Sequence, residues 1–539
     1  MRSTIKIVIL LFFICTSMSG ASFPDMEKYM RQHALIWEQL PMQWNEGAFL
    51  GNGLVGMMVY ADSTLNALVF HLGRPDVTDH RKAPYRKTSI GTEEADKMVD
   101  FCRLDVGKML LFPEGKILSG TFYLDIYNAE LTGHLKTDKG DLTFHAYTPQ
   151  PEEVNIVEVS SGVPYRWKGI PGNPCSPRIR VFPHLKEKLK YKDNPAPVVN
   201  QKDKEGSWVQ SLLAGGDYAT YWKEVPGGKS RSVLYVSTAN EVPASSLSLA
   251  KAMKTVEATQ ITGTKLLKQK TRQWWNAYHE RSFLSIPDKK LENFYFIQMY
   301  KLATCSHPDG PAMDVMGTFF KLSPWPSFWW NLNIQLTYMP IGPANRMEQG
   351  KNFQRLMDEV FPSLVRSIEP CKIGDYTWAL QNYYMYLRYA GADWQDIKQQ
   401  VVPKALDAFA VFDKILCYKE NTWHLTHIES PEYEGFQKYN DSNYGLASLS
   451  WLLQTLIACH DRTSSTHPDY ARWKEILTRL APYPTNENGL MIAANKPLEK
   501  SHRHYSHLLA FYPFRLLHPD VPENRKFLEK SIEHWLSLE

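Results

Sequence analysis

The hydrophobic period of this chain changes once, near Ser246, and that change constrains the fold more than any other feature. Over residues 22–245 apolar side chains come in short runs or alternate: Met57, Met58, Val59 and Tyr60, then Leu68, Val69 and Phe70, later Leu142, Phe144 and Tyr147, and finally Val233, Tyr235 and Val236. Short alternating runs of this kind mark strands. Proline and glycine clusters at residues 171–177 and 226–228 separate them. An antiparallel β-sandwich is the economical way to pair so many short strands. After Ser246 the spacing is helical, over residues 246–278, 290–305, 347–365, 376–389, 394–417, 444–460, 470–480 and 525–538. The loops between these helices are long and hold the Trp, His, Asn and carboxylate clusters, which fits a toroid of helices with function in the loops at one end. At 539 residues the chain exceeds one compact core, so two large domains are expected.

Charge narrows the partner class. With 61 basic against 57 acidic residues the formal charge is +4, and no long run of one sign occurs, so a nucleic-acid surface is not implied. The N-terminus has the form of an export signal: Arg2 and Lys6, an apolar run from Ile7 to Cys15, then Ser19, Gly20 and Ala21, with cleavage expected near Ala21. That run is too short to span a bilayer, and lipidation at Cys15 ranks second because Phe13 and Ile14 precede it. The other cysteines, Cys102, Cys175, Cys305, Cys371, Cys417 and Cys459, are scattered without paired metal spacing and are expected to be buried free thiols.

Four stretches carry chemistry. In residues 310–348, Trp325, Trp329 and Trp330 stand ahead of Asn331 and Asn333. Indoles can stack on a pyranose face and amides can bind hydroxyls or water without adding charge, although a buried aromatic turn with capping asparagines would look the same. In residues 424–445, His427, Glu429, Glu432, Glu434 and Asp441 lie in a loop ahead of a helix that opens near Asn443. Pro431 keeps Ser430 out of helical geometry, so Ser430-Pro431-Glu432 is read as a fixed turn aiming one carboxyl. Aimed into an aromatic pocket, that carboxyl could serve as a general acid, whereas Asp441 is better read as a helix N-cap. Residues 501–513 hold His502, His504 and His507. Only the last two could share a helical face, so sugar contact or support of a carboxyl is preferred to a metal site. In residues 374–393 core packing explains most of the helix, and Asp375 and Trp378, at its mouth, are the candidates for ligand contact. No metal and no cofactor is expected.

Taken in order, these stretches resemble glycoside hydrolase family 95, chiefly inverting α-L-fucosidases with some members acting on α-L-galactosides. Trp44 with Leu50-Gly51-Asn52-Gly53 and Gly56 is similar to the family's opening W…P-L-G-N-G-x-x-G. Pro311-Ala312, Gly317 and Trp329-Trp330-Asn331-Leu332-Asn333-Ile334-Gln335 resemble its P-A-N-L-Q-G and W…N-I-N-x-Q segments. Ser430-Pro431-Glu432 resembles its S-P-E, and residues 502–508 its H-R-H-x-S-H-L. The resemblance implies a β-sandwich over residues 22–245, a helical linker over 246–286 and an (α/α)6 barrel over 287–539 that is incomplete at its C-terminal end. It implies Glu432 as general acid and Asn331 with Asn333 positioning the water. Trp329, Trp330, Asp375, Trp378, His427, His502, His504 and His507 are the expected contacts to an oligosaccharide or polysaccharide. The family's catalytic aspartate lies downstream of the histidine motif, so it is expected beyond Glu539; little or no hydrolysis is expected from this chain alone, with sugar binding retained. The chain also departs from the family at residues 68–81, LVFHLGRPDVTDHR, and at Met313, Asp314 and Met316. Two rivals stay open: a carbohydrate-binding relative without turnover, and a polysaccharide lyase using Tyr505 with His504 or His507.

Overall fold

The computed structural model describes residues 25–79, 81, 102–241, 247–328, 331–435 and 437–538. The expected export signal with Cys15, the boundary at Ser245 and Ser246, and the side chains of Trp329 and Trp330 therefore lie outside the described residues.

The strand-patterned half folds into two antiparallel sheets. Nine strands pair in the order Leu35–Trp37, Ile117–Asp125, Glu130–Thr137, Gly140–Tyr147, Val154–Ser161, Arg231–Glu241, Asp217–Gly228, Glu205–Ser211 and Val198–Gln201. The second sheet has five, in the order Tyr165–Ile170, Lys108–Pro113, Ala67–Gly73, Gly56–Asp62 and Ala48–Gly51. Burial follows which faces are covered. Strand Ile117–Asp125 alternates exposed and buried residues because its outer face meets water, whereas Ala67–Gly73 is buried at every position. One face of that strand packs into the sandwich core. There Phe70 meets Phe144 edge-on at 5.5 Å and Trp167 at 5.4 Å, and Trp208 and Trp222 are fully buried. Its other face meets the helical half, where a Cβ on Gly73 would stand 2.1 Å from the Thr318 carbonyl oxygen.

The loop at Asn52 and Gly53 joins the halves, with Asn52 shaping it from within the β half and Gly53 making the contact. Asn52 Nδ2 donates to the carbonyls of Pro149 and Glu152, both at 2.8 Å, and its Oδ1 accepts from the amides of Leu54 and Val55, both at 3.0 Å. All four capacities of the buried amide are thus used. Gly53, held at φ +83°, donates to the Thr304 carbonyl at 3.0 Å and lies against the Ser306 backbone, so the opening Leu-Gly-Asn-Gly motif is a docking loop. Arg103 adds a buried brace, donating to Asp314 at 3.1 Å and to the Gly317 carbonyl at 2.6 Å. Asp314, where the sequence departs from the pattern it otherwise resembles, thus has a partner in the sandwich.

Residues 246–278, expected as one helix, form two: α1 (Ser248–Thr262) and α2 (Thr264–His279), broken at Gly263 with φ +80°. α1 lies on the nine-stranded sheet. α2 turns Leu267, Thr271, Trp275 and Tyr278 inward, and Trp275 packs at 4.9 Å on Tyr300 of α3 (Lys289–Cys305). Then follow α4 (Asn333–Tyr338), α5 (Lys351–Glu359), α6 (Phe361–Ser367), α7 (Ile373–Tyr389), α8 (Trp394–Gln400), α9 (Val402–Phe412), α10 (Asn443–Thr463), α11 (Tyr470–Thr478) and α12 (Pro522–Ser537). Two further expected helices are divided, and proline is the reason in both. Pro362 opens α6 after the break at Val360, and Pro403 opens α9 after the break at Val401. Residues 416–417, expected to be helical, lie in a hairpin of Leu416–Lys419 with Thr422–Leu425. α7 and α10 are the central pair, packed on each other and buried on nearly all sides through their first halves. The six described cysteines are free; of the expected buried thiols Cys102, Cys371 and Cys459 are buried, Cys175 and Cys305 are half-buried, and Cys417 is exposed.

Alanine at Gly53 would place Cβ 2.3 Å from the Ser306 backbone at a φ that L residues rarely adopt. Gly53→Ala is expected to destabilise the chain by about 1–3 kcal/mol, read as a lower denaturation midpoint.

Candidate functional site

The Ser-Pro-Glu turn is built as its sequence suggests. Strand Ile428–Glu429 pairs with Lys438–Tyr439, and between them Tyr433 N–H returns to the Ser430 carbonyl at 3.3 Å. Glu432 sits at φ +43° in the left-handed region, followed by Glu434 at +51° and Gly435 at +78°. Ser430 Oγ, fully buried, meets Ser506 Oγ at 2.9 Å, which ties the turn to the histidine loop. On the far side Tyr433 is buried with Ile492, Ala493 and Leu498, and its hydroxyl accepts from Glu499 N–H at 2.9 Å.

The turn brings Glu432, with its side chain 20% exposed, against Arg503 in an ion pair and within 3.3 Å of His504 Nε2. Burial pushes His504 down to about 4, with His502 and Arg503 adding to the effect, so its ring is neutral at pH 7. His507 is fully buried and also held near 4, first by burial, and neither ring nitrogen has a hydrogen-bond partner among the described residues. His504 and His507 share no helical face, since the only regular element there among the described residues is a single 3-10 turn, Ser506–Leu508. His502 is half-buried, and its Nδ1 accepts from His504 N–H at 3.1 Å. His427 is not brought to this cluster. It is exposed at φ +56°, and its amide donates to Asn440 at 3.2 Å.

A second group lies at the start of α7. Asp375 is buried inside the first turn rather than at a mouth, and its Oδ1 accepts from Tyr444 OH at 2.6 Å and from Asn331 Nδ2 at 3.2 Å. Gln335 on α4 donates to the Asp375 carbonyl at 3.0 Å. Burial raises Asp375 to about 6, against the opposing pull of Tyr444, Asn331 and Lys372. Gly374 makes the arrangement possible: a Cβ there would stand 2.3 Å from the Tyr444 ring. Of the two asparagines, Asn331 is buried, whereas Asn333 is exposed at the start of α4. Trp378 is also buried rather than open at a mouth; with Leu332, Pro431, His504, Tyr505 and Ser506 it lines one small cavity where all four chemistry-bearing stretches meet.

Two assignments change. Asp441 does not cap α10; Ser442 does, accepting from Gly445 N–H at 3.0 Å, because Asp441 at φ +47° is turned toward Leu425 N–H at 2.8 Å and His424 Nδ1 at 2.6 Å. Glu429, which the sequence offers only as one of several loop acids, is buried beneath the turn. Burial raises it to about 8, the Asp375 charge adds to this, and the Cys371 thiol lies 3.5 Å from its Oε1. Its strand is covered on both sides, so the alternation that usually sends a glutamate outward fails there.

Residues 371–536 match the glycosyl hydrolase family 95 catalytic domain. That span contains Asp375, Glu429, Glu432 and the histidine loop; Asn331 lies before it. Among solved structures, a protein described as a kojibiose phosphorylase from the human microbiome is similar at TM-score 0.55 and 9% identity, over 83% of this chain and 67% of that one. This likeness is one of fold: a β-sandwich joined to a helical barrel. The family GH92 alpha-mannosidase of Bacteroides thetaiotaomicron aligns at TM-score 0.29 and 8% identity, over 77% of this chain and 71% of that one, too loosely to bear on the fold. No curated protein matches the sequence.

Because Glu429 holds its proton more tightly folded than unfolded, wild-type stability should fall as pH rises from about 4.5 through about 8. Glu429→Gln removes this dependence. Melting curves of the two proteins should coincide near pH 4.5, and the variant should melt higher by roughly 5 °C at pH 9.

Proposed function

We propose that this chain, whose residues 371–536 belong to glycosyl hydrolase family 95, is an exported glycosidase that removes α-linked deoxy or neutral sugars, α-L-fucoside or α-L-galactoside, from glycans by an inverting route. One observation carries the reading. The Glu432 turn, the His504 loop, Leu332 beside Asn331, and Trp378 converge on one cavity although they are far apart in sequence. Beside that cavity Glu432 lies 3.3 Å from His504 Nε2, so a carboxyl, a neutral imidazole and an indole stand close together, as glycoside cleavage needs.

In this reading the Glu432 carboxyl gives its proton to the glycosidic oxygen as the bond from that oxygen to the anomeric carbon breaks. Water held at Asn331, with Asn333 nearby, adds to the opposite face, and its surplus proton requires a carboxylate base, since a neutral amide barely accepts one; none of the carboxylates described above is assigned that role. The neutral His504 beside Glu432 can take or give a hydrogen bond there. Arg503 is the group the leaving oxygen displaces, and its side chain is 76% exposed, so it can swing out without disturbing packing. His502 and His507 serve as supports of this wall, and Trp329 and Trp330 as stacking groups. Export rests on the form of residues 1–21; among the described residues no helix is long and apolar enough to cross a membrane.

One observation favours a second reading, a carbohydrate-binding relative without turnover: the Glu432 carboxyl is engaged by Arg503. The test is activity on fucosyl and galactosyl disaccharides, with the anomer first released followed by NMR. Glu432→Gln is expected to lower kcat by about 10²–10⁴-fold. Wild-type rates in that variant would remove Glu432 as the acid, and glycan binding without turnover, by this chain and by any longer form that contains it, would favour the second reading.

A further inference from the structure

The contact between Asp375 and Asn331 is not used by the scheme above. A carboxamide has nearly the same shape when turned over, yet its two ends have opposite hydrogen-bonding sense. An ionised carboxylate only accepts, so an amide packed against it must offer its NH2 end and point its oxygen away. Asp375 is in place to impose this. Its backbone is held in α7 and by Gln335 at 3.0 Å, its Oδ1 is fixed by Tyr444 OH at 2.6 Å, and Asn331 Nδ2 donates to the same oxygen at 3.2 Å. All of these groups are buried, so water cannot substitute for any of them.

We propose that Asp375 is the positioning residue of this site: its carboxylate turns the Asn331 amide so that the amide oxygen, not the NH2, faces the attacking water. The inference rests on the glycosidase reading only in taking Asn331 as the group that holds that water. Once protonated, Asp375 can donate to the amide oxygen, and the amide is free to turn over. Its NH2 would then bind the lone pair of the water that has to attack the sugar, and the water would be misaligned.

The groups that face Asp375 set when this happens. Tyr444 on α10, Asn331 before α4 and Lys372 just before α7 favour the charged form; Glu432 in the turn opposes it, as does Glu429 when charged. Burial raises Asp375 to about 6 and Glu429 to about 8. Between those values Asp375 is ionised and Glu429 is neutral, so Asp375 carries the charge of this buried pair. The positioning is therefore present above about pH 6 and lost below it.

The test uses the full chain with asparagine-selective ¹⁵N labelling, the Asn331 side-chain signal being assigned by its disappearance in Asn331→Ala. In the wild type that signal should move between pH 5 and 8 with a midpoint near 6. It should stand still in Asp375→Asn, and Tyr444→Phe, which deletes one donor to the carboxylate, should move the midpoint upward. In parallel, kcat/KM of the wild type should fall below pH 6, Asp375→Asn should lose that limb, and Asp375→Ala should lose about 10- to 100-fold in kcat with little change in KM. An Asn331 signal that does not titrate in the wild type, or titrates unchanged in Asp375→Asn, overturns the inference. Absence of turnover both in this chain and in any longer form that contains it overturns the glycosidase reading instead, and the labelled signal still decides the role of Asp375.

Discussion

The hydrogen bond between Ser430 and Ser506 holds the candidate site together. Both hydroxyls are buried, so separating the two loops would leave each without a partner, at about 1–3 kcal/mol apiece. Two long loops, 76 residues apart in sequence, are thereby kept in one register. The meeting of Glu432 with His504 and Arg503 follows from it. Pro431 adds stiffness on one side and the buried Tyr433 ring adds it on the other, so the carboxyl is aimed by its neighbours' packing rather than by its own contacts.

The sandwich matters to this site at one remove. Gly53, in a loop shaped by Asn52, docks on the end of α3, Arg103 braces Asp314, and the chain then runs through residues 318–320 under the five-stranded sheet before reaching Asn331. The segment that delivers the asparagine is thus clamped at its start by the β half and at its end by Asp375. Its own local structure is short: α4 has six residues, and Leu332 before it is left-handed at φ +54°. A stretch of this kind takes its geometry from what it is packed against.

Much of this was legible in the residues. The change of period predicted a sandwich followed by helices, and the proline in Ser-Pro-Glu predicted a fixed turn. Where the reading failed, the cause was local chemistry outvoted by context. Periodicity carries across a break, so it does not reveal the helix interruptions at Gly263, Pro362 and Pro403. Asp441 has the composition of a cap, but a competing pair of hydrogen bonds in the hairpin claims it. The sequence offers Asp375 and Trp378 as ligand contacts at a helix mouth, because a single helix cannot show that another is laid across its first turn. A signal was present in the adjacent Gly374, whose missing Cβ admits the Tyr444 ring. Glu429 could not have been found from sequence, since its environment is made wholly by segments distant in the chain.

The left-handed backbone at Glu432 has a consequence for how this loop tolerates change. Glutamate is among the residues that gain nothing from that conformation, whereas asparagine and glycine adopt it readily. Selection for thermal robustness alone would therefore drift position 432 toward asparagine or glycine, and the loop would relax as it did so. A glutamate retained there works against that drift, and a descendant released from its chemistry should betray the release at this position first.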